Sequence, residues 1–157
     1  MERMIRQFGA FIVLIAVTYA PSFIAYPYMT PHNFNWYHSL TKPFFMPPDW
    51  VFSVVWTVLY FFMACAAWMI WKKKGFFCKQ LSWYYAQLVV NAVYIPAFFG
   101  LHLMYGSALI LVLLLWLVIK TLRFFAQVDH YAALLLTPYV AWLCFASLLW
   151  ATTAYLN

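Results

Sequence analysis

The chain has 157 residues, of which 68% are hydrophobic and only 8% are charged, and its formal net charge is +6. So few charged residues cannot cover the surface of a water-soluble domain, and the composition therefore predicts an integral membrane protein. The cationic excess is attributed to membrane topology and to attraction toward anionic lipid, and it gives no indication of nucleic-acid binding.

Long apolar runs predict an all-α integral membrane protein, a bundle of five transmembrane helices that forms a single domain over residues 1–157. Each run approaches the length that a helix needs to cross about 30 Å of hydrocarbon at about 1.5 Å per residue. The runs cover residues 8–26, 51–71, 81–101, 103–119 and 131–156. Because they are continuous and do not alternate with polar residues, they are not the strands of a transmembrane barrel.

The first run, residues 8–26, follows Arg3 and Arg6 and also fits a cleavable secretory signal. It continues past the length of a signal core, and residues 26–31 contain no clear small-x-small cleavage pattern. We therefore expect this run to be retained as the first span.

The connection between the first two spans, residues 27–50, is far longer than a turn requires, and long connections of this kind are usually functional or disordered. Its many prolines and aromatic residues argue against disorder, so we expect a packed lid. Its prolines are Pro27, Pro31, Pro43, Pro47 and Pro48. The last two make a stiff entry to the second helix, where Asp49 can act as the cap and Trp50 is held in place.

The third run carries polar side chains that are costly in hydrocarbon. Tyr84, Gln87, Asn91 and Tyr94 recur on one helical face, which must look into the bundle. Gln87 and Asn91 either hold neighbouring helices together through hydrogen bonds, worth about 0.6 to 2 kcal/mol each, or line a ligand pocket. Pro96 removes the hydrogen bond to the Ala92 carbonyl and frees an acceptor near Asn91.

The last run has an aromatic face on which Trp142 and Ala146 lie one turn apart. A small residue beside a large flat one fits a slot for a planar apolar ligand. Close helix packing uses the same combination, and for Ala146 alone packing is favoured. Other tryptophans near the predicted membrane faces are assigned to the interfacial belt, namely Trp36, Trp68, Trp71, Trp83 and Trp150.

Basic residues set the predicted orientation, because Lys and Arg near span ends stay on the cytoplasmic side. With five spans, one side collects Arg3, Arg6, Lys72, Lys73, Lys74, Lys79, Lys120 and Arg123. Only Lys42 lies opposite. We therefore expect a cytoplasmic N-terminus and a lid on the outer side, in a bacterial cell membrane.

Conventional enzyme chemistry has no support in the residues. The cysteines Cys65, Cys78 and Cys144 have no metal or redox spacing, and no pair of carboxylates is placed for acid and base catalysis. We expect no metal and no permanently bound cofactor.

A motif across the lid and the second span closely resembles the tryptophan-rich sensory protein, or translocator protein, family, once called the peripheral benzodiazepine receptor. The matching residues are Trp36, Tyr37, Leu40, Lys42, Pro43, Pro47, Pro48, Trp50, Trp56, Tyr60 and Met63. The stretches "QLVVN", "PAFFG" and "PYVAWLCFA" in the third and fifth spans agree as well. The resemblance covers nearly the whole chain.

The resemblance implies a five-helix bundle whose pocket binds porphyrins such as protoporphyrin IX, haem-related tetrapyrroles and isoquinoline-carboxamide or benzodiazepine drugs. By motif, Trp50, Asn91, Trp142 and Ala146 should line this pocket. Weaker candidates are Pro43, Phe52, Phe98 and Phe99. The family also implies a homodimer through the third helix, where Ser82 and Ala86 form a small-xxx-small pair.

The chemistry of a porphyrin agrees with these residues. A flat π-system with two carboxylates should stack on Trp50 and Trp142 and hydrogen-bond to Asn91. Lys42 is placed to attract the propionates, although a single interfacial lysine more often only snorkels. The tail after residue 146 lacks the Tyr-Arg/Lys pattern proposed for cholesterol contact, so sterol binding is not expected.

Three functions remain open. The first is a receptor or sensor that binds tetrapyrroles, and the second is a light- and oxygen-dependent porphyrin-degrading enzyme with Trp50 and Trp142 as its catalytic residues. The third is a tetrapyrrole transporter, for which an odd number of spans and the lack of a midplane charge give little support.

Overall fold

The computed structural model describes all residues from Met1 to Asn157 and contains only helical elements. We number six α-helices, α1 to α6, with a short 3₁₀ turn after α1 and a π-helical turn after α4. Their bounds are α1 Glu2–Ala25, the 3₁₀ turn Tyr26–Tyr28, α2 Pro31–Ser39, α3 Asp49–Lys74, α4 Lys79–Ile95, the π turn Pro96–Gly100, α5 Met104–Ala126 and α6 His130–Leu156.

The five long helices form a ring in the order α1, α3, α6, α5 and α4, and α3 and α4 also contact each other across it. One end of the ring carries the connection between α1 and α3 and is called the lid end. The other end carries Lys72–Lys74 and Lys120 and is called the basic end. Helix α2 lies outside the ring, on the π turn at the lid end.

Four helices are long and apolar enough to cross a membrane, namely α1 with its 3₁₀ turn, α3, α5 and α6. Helix α4 has 17 residues and stops at Pro96, where the π turn begins. Proline has no backbone N–H to continue the α-helical hydrogen bonds, so the predicted third span is an α-helix followed by a turn of another kind. Helix length therefore does not confirm the predicted count of five transmembrane helices.

The remaining boundaries differ from the apolar runs by a few residues. Helix α3 continues through the lysines to Lys74, and α5 continues to Ala126 instead of ending at residue 119. Hydropathy marks where a helix can enter hydrocarbon, and a helix can continue beyond that point because its backbone hydrogen bonds are internal.

The lid is packed, as expected, and it also contains regular structure in the form of helix α2. Helix α2 begins after Thr30, whose hydroxyl accepts a hydrogen bond from the Asn33 backbone N–H at 3.3 Å. The Tyr28 ring lies so close to Gly100 that a Cβ there would approach it to 2.7 Å. The Trp36 ring stacks on His102 with centroids 4.0 Å apart. The lid is thus seated on the end of α4.

The far end of the lid is joined to the end of α6 by Asn157. Its Nδ2 donates to the Thr41 carbonyl at 2.9 Å, and its Oδ1 accepts from the Thr41 backbone N–H at 2.8 Å. We call this pair of hydrogen bonds the Asn157 clasp.

Asp49 does not cap α3, contrary to the prediction. Pro48 occupies the N-cap position, no side chain caps the helix, and Asp49 is its first residue. The Asp49 carboxylate instead contacts side chains of the lid, Tyr37 and His38.

Candidate functional site

A cavity of about 570 Å³ lies at the lid end of the ring and is partly open to the surface. It is lined by 23 residues, of which 17 are hydrophobic. Every long helix and the lid contribute side chains to it. Its volume falls within the range of about 300–1,000 Å³ that small-molecule sites occupy.

Hydrogen-bonded side chains form a network beside the cavity on its basic-end side. Asn91 Oδ1 accepts from the Tyr60 hydroxyl at 3.2 Å, and Asn91 Nδ2 donates to the Tyr139 hydroxyl at 2.9 Å. The Tyr139 hydroxyl in turn donates to Gln87 Oε1 at 3.2 Å. The network joins α3, α4 and α6, and it leaves one N–H of the Asn91 amide available. Asn91 therefore both connects helices and lines the cavity.

Aromatic side chains make up one wall. Trp142 meets Phe52 edge-on at a centroid distance of 5.7 Å, and Trp56 meets Tyr139 edge-on at 5.9 Å. Ala146, one turn from Trp142, leaves space where a larger side chain would fill the cavity. The wall offers both ring faces and ring edges to a flat ligand.

Another part of the lining is the seam between α1 and α3. Ser22 on α1 and Ser53 and Thr57 on α3 line the cavity with small side chains. The Tyr19 hydroxyl bridges the seam by donating to the Thr57 carbonyl at 2.8 Å. Trp50 lies on the rim with 66% of its surface exposed, so its indole has room to move over a ligand.

The mouth contains a compact polar cluster. Asp49 accepts from the Tyr37 hydroxyl at 3.1 Å, and its other oxygen is 3.5 Å from His38 Nε2. Lys42 Nζ is 3.3 Å from His38 Nδ1 and 3.7 Å from the centroid of the Tyr37 ring. Burial, and then the Asp49 charge, raise the pKa of the Tyr37 hydroxyl, which keeps it protonated as a donor.

The ten residues predicted to bind a ligand divide into two groups. The residues that line the cavity are Trp50, Phe52, Asn91, Phe99, Trp142 and Ala146. Pro43, Phe98, Gln87 and Lys42 do not line it.

Each of these four has another position. Pro43 is buried in the lid, and Phe98 packs with its centroid 4.5 Å from that of Trp150. Gln87 lies behind Tyr139 in the network, and Lys42 lies in the mouth cluster beyond Tyr37. Sequence periodicity shows only which face of a helix looks inward, and it does not show how deep a side chain lies behind its neighbours.

Sequence reasoning missed several residues of the cavity wall. Trp56 and Tyr60 follow Phe52 at intervals of four residues, so the helical periodicity of the second span contained the signal that would have found them. Trp150, assigned to the interfacial belt, is instead only 8% exposed and lines the cavity. Its partners Tyr37 and Phe98 belong to other elements, and no local pattern could have indicated them.

Fold and site together define a class, an all-helical membrane protein with an aromatic cavity beneath a proline-rich lid. Residues 10–156 match the sequence model of the TspO/MBR family. The protein belongs to this family, as the resemblance of its motifs predicted.

Relatives occur in bacteria and in animals. The chain is 41% identical over 109 residues to the tryptophan-rich sensory protein of Cereibacter sphaeroides, covering 69% of this chain and 68% of the relative. It is 37% identical over 142 residues to the translocator protein of Ovis aries, covering 86% and 84%. It is 36% identical over 133 residues to the tryptophan-rich protein TspO of Chlorobaculum tepidum, covering 82% and 84%.

Proposed function

We propose that the protein is a membrane-embedded receptor or sensor that binds porphyrins such as protoporphyrin IX in the lid-end cavity. The observation that carries this proposal is the cavity itself, about 570 Å³ in volume, with aromatic walls and the Asn91 amide among its lining groups. Isoquinoline-carboxamide and benzodiazepine drugs, which are flat aromatic molecules with a carbonyl group, fit the same chemistry.

Each part of the cavity has a distinct task in this proposal. Phe52 and Trp142 contact the macrocycle, and the exposed Trp50 closes over it. Asn91, already oriented by Tyr60 and Tyr139, donates its remaining N–H to a ligand acceptor without further loss of side-chain freedom.

The propionates would meet the mouth cluster, where Lys42 is the cation and Asp49 is the anion. Tyr37 and His38 already satisfy Asp49, whereas Lys42 contacts only a ring nitrogen and a ring face. Lys42 is therefore the group that can turn toward a carboxylate. We expect protoporphyrin IX to bind more tightly than its dimethyl ester, and we expect Lys42→Met to remove the difference.

Binding is tested by titrating detergent-solubilised protein with protoporphyrin IX in the dark while following tryptophan fluorescence. Ala146→Leu fills part of the cavity, and a steric cost of about 1–3 kcal/mol should weaken binding by about fivefold to 150-fold. Ala151→Leu, on an exposed face of the same helix, is the matched control and should leave binding unchanged. Absence of saturable quenching, or equal effects of the two variants, would reject the proposed site.

A second function, light- and oxygen-dependent degradation of the porphyrin, is favoured by one observation. Trp50 and Trp142 line the same cavity, so both indoles can lie near a bound macrocycle. Illumination of the saturated complex in air would then bleach the porphyrin bands. Trp50→Phe with Trp142→Phe should stop the bleaching while binding survives. Unchanged bleaching in this double variant would reject the enzymatic function and leave the receptor function. Porphyrin flux across sealed vesicles would instead indicate a transporter.

We further propose that the chain crosses a bacterial cell membrane five times, with α4 and its π turn as the third crossing and the N-terminus in the cytoplasm. The asymmetry of basic residues supports this orientation, because only Lys42 lies at the lid end. In a background without Cys65 and Cys144, an impermeant maleimide should label Phe44→Cys on intact cells and should label Cys78 only after permeabilisation. The reverse labelling pattern would show that the N-terminus and the lid lie on the opposite sides of the membrane from those proposed.

The proposed homodimer would use the outer face of α4. Ser82 is exposed there, and Val89 exposes 65% of its surface. Small exposed side chains allow close helix contact within a bilayer.

A further inference from the structure

Three aromatic rings form a continuous platform on the outer surface of α4 and α5 near the basic end. The Trp83 ring is stacked near Phe124, with centroids 5.8 Å apart and an interplanar angle of 12°. It also meets Trp116 edge-on at 5.9 Å. Trp116 exposes 48% of its surface, so the platform faces the surroundings of the bundle.

A lysine ammonium lies over each end of this platform. Lys79 Nζ is 5.0 Å from the centroid of Phe124, and Lys120 Nζ is 5.5 Å from the centroid of Trp116. The spacing in sequence produces this arrangement, because residues four apart lie on the same face of a helix. Lys79 and Trp83 are four residues apart on α4, and residues 116, 120 and 124 are successively four residues apart on α5.

The two ammonium groups have no carboxylate partner within the protein. The chain contains three acidic residues; Asp129 forms an ion pair with Lys73, and the Asp49 carboxylate lies 3.5 Å from His38 Nε2. Cations at a membrane interface attract anionic lipid, at about 1 kcal/mol for each lysine near the surface. Lys79 and Lys120 are therefore placed to hold an anion supplied from outside the chain.

We propose that this platform, defined by Lys79, Trp83, Trp116, Lys120 and Phe124, is a binding site for the phosphate group of an anionic phospholipid. In this proposal the headgroup phosphate lies between the two ammonium groups, and the aromatic rings pack against the glycerol region. The acyl chains extend over the apolar surface of α5 toward the lid end, where Val112 is 57% exposed and Leu109 is 71% exposed. A zwitterionic choline headgroup fits less well, because the lysines already cover the ring faces that would attract a quaternary amine.

The site is tested by native mass spectrometry of the purified protein titrated with phosphatidylglycerol or phosphatidylcholine in detergent. The double variant Lys79→Gln, Lys120→Gln should raise the dissociation constant for phosphatidylglycerol by about 25-fold, because loss of each lysine contributes a factor of about five. The matched control is Arg3→Gln, Lys74→Gln, which removes the same charge from the same end. Neither control residue forms an ion pair or lies over an aromatic ring.

The proposal requires the control to bind phosphatidylglycerol nearly as tightly as the unsubstituted protein, and phosphatidylcholine to bind more weakly than phosphatidylglycerol. Equal losses in the two double variants would mean diffuse attraction to the basic end and would overturn the site. Equal binding of the two lipids would overturn it as well. Thermal unfolding temperatures in detergent that are unchanged in both double variants verify that the variants are folded.

Discussion

The two halves of α3 have similar hydropathy, but one half lines the cavity and the other is closely packed in the core. From Trp50 to Tyr60 the helix lines the cavity, and Ser53 and Thr57 are exposed. From Met63 to Ile70 it is packed, with Met63 and Ile70 both fully buried. Small residues such as Ala66 and Ala67 let neighbouring helices approach this second half. One apolar helix thus supplies both a binding surface and a close-packed core, and the difference lies in its partners.

The largest effect expected from this contrast concerns the packed half. Met63→Ala removes a fully buried side chain and leaves a void, which should destabilise the fold by about 2–5 kcal/mol. Trp50→Ala, at a rim position that is 66% exposed, should change stability by less than about 0.5 kcal/mol. Thermal unfolding in detergent measures both, and similar losses would mean that the two halves are packed alike.

Asp129 gives the next largest effect, at the basic end. Its side chain is 8% exposed and contacts Lys73 Nζ at 2.8 Å, and its Oδ1 accepts from the Tyr131 and Ala132 backbone N–H groups. Asp129→Ala loses the helix cap as well as the ion pair and should cost about 1–2 kcal/mol. Asp129→Asn keeps a capping oxygen and, because Lys73 is half exposed, should cost less than about 1 kcal/mol.

The same carboxylate predicts a dependence on pH. The hydrogen bond from Lys73, followed by those from the backbone, holds the pKa of Asp129 below its usual value. The stabilisation is therefore complete above the unfolded pKa of about 3.9 and is lost as the pH falls through the lower folded pKa. The difference in unfolding temperature between the protein and Asp129→Asn should be constant at neutral pH and should shrink below about pH 4. A difference that shrinks near neutral pH instead would contradict this assignment.

The hydrogen-bonded network beside the cavity should show a smaller effect. Tyr139→Phe leaves Asn91 and Gln87 without their shared partner, which should cost about 0.6–1.7 kcal/mol in a membrane interior. Because Asn91 is then less well oriented, porphyrin affinity should also fall. Tyr85→Phe, also on α4, is the control, since Tyr85 belongs neither to the cavity lining nor to the network. Equal effects of the two substitutions would show that the network does not orient Asn91.

The Asn157 clasp should have the smallest effect on stability. Asn157→Ala removes exposed hydrogen bonds to Thr41 and should change the free energy of unfolding by less than about 0.5 kcal/mol. Because the clasp ties the lid to α6, its loss should accelerate both association and dissociation of the porphyrin, as measured by stopped-flow fluorescence. Unchanged rates would mean that the ligand does not pass the lid.

Some parts of the fold and the site could be predicted from local signals and others could not. Asn91, Trp142 and Ala146 line the cavity, and the inward face of α4 follows from a spacing of three and four residues. Gln87 has the same periodicity but lies behind Tyr139. The break at Pro96 could be read from the residue itself, whereas the contact of the π turn with the lid joins two separate elements and had no local signal.

The amino-acid sequence by itself determined the class of protein, the apolar runs, the concentration of cations at one end and the family, because each depends only on residue types and their order along the chain. The cavity, the partners of Asp49 and the aromatic platform between α4 and α5 were decided by the tertiary structure. Each joins side chains from two or more elements, and their formation depends on the distance between helices and on which donor or acceptor a polar group meets. Neither quantity is a property of one segment.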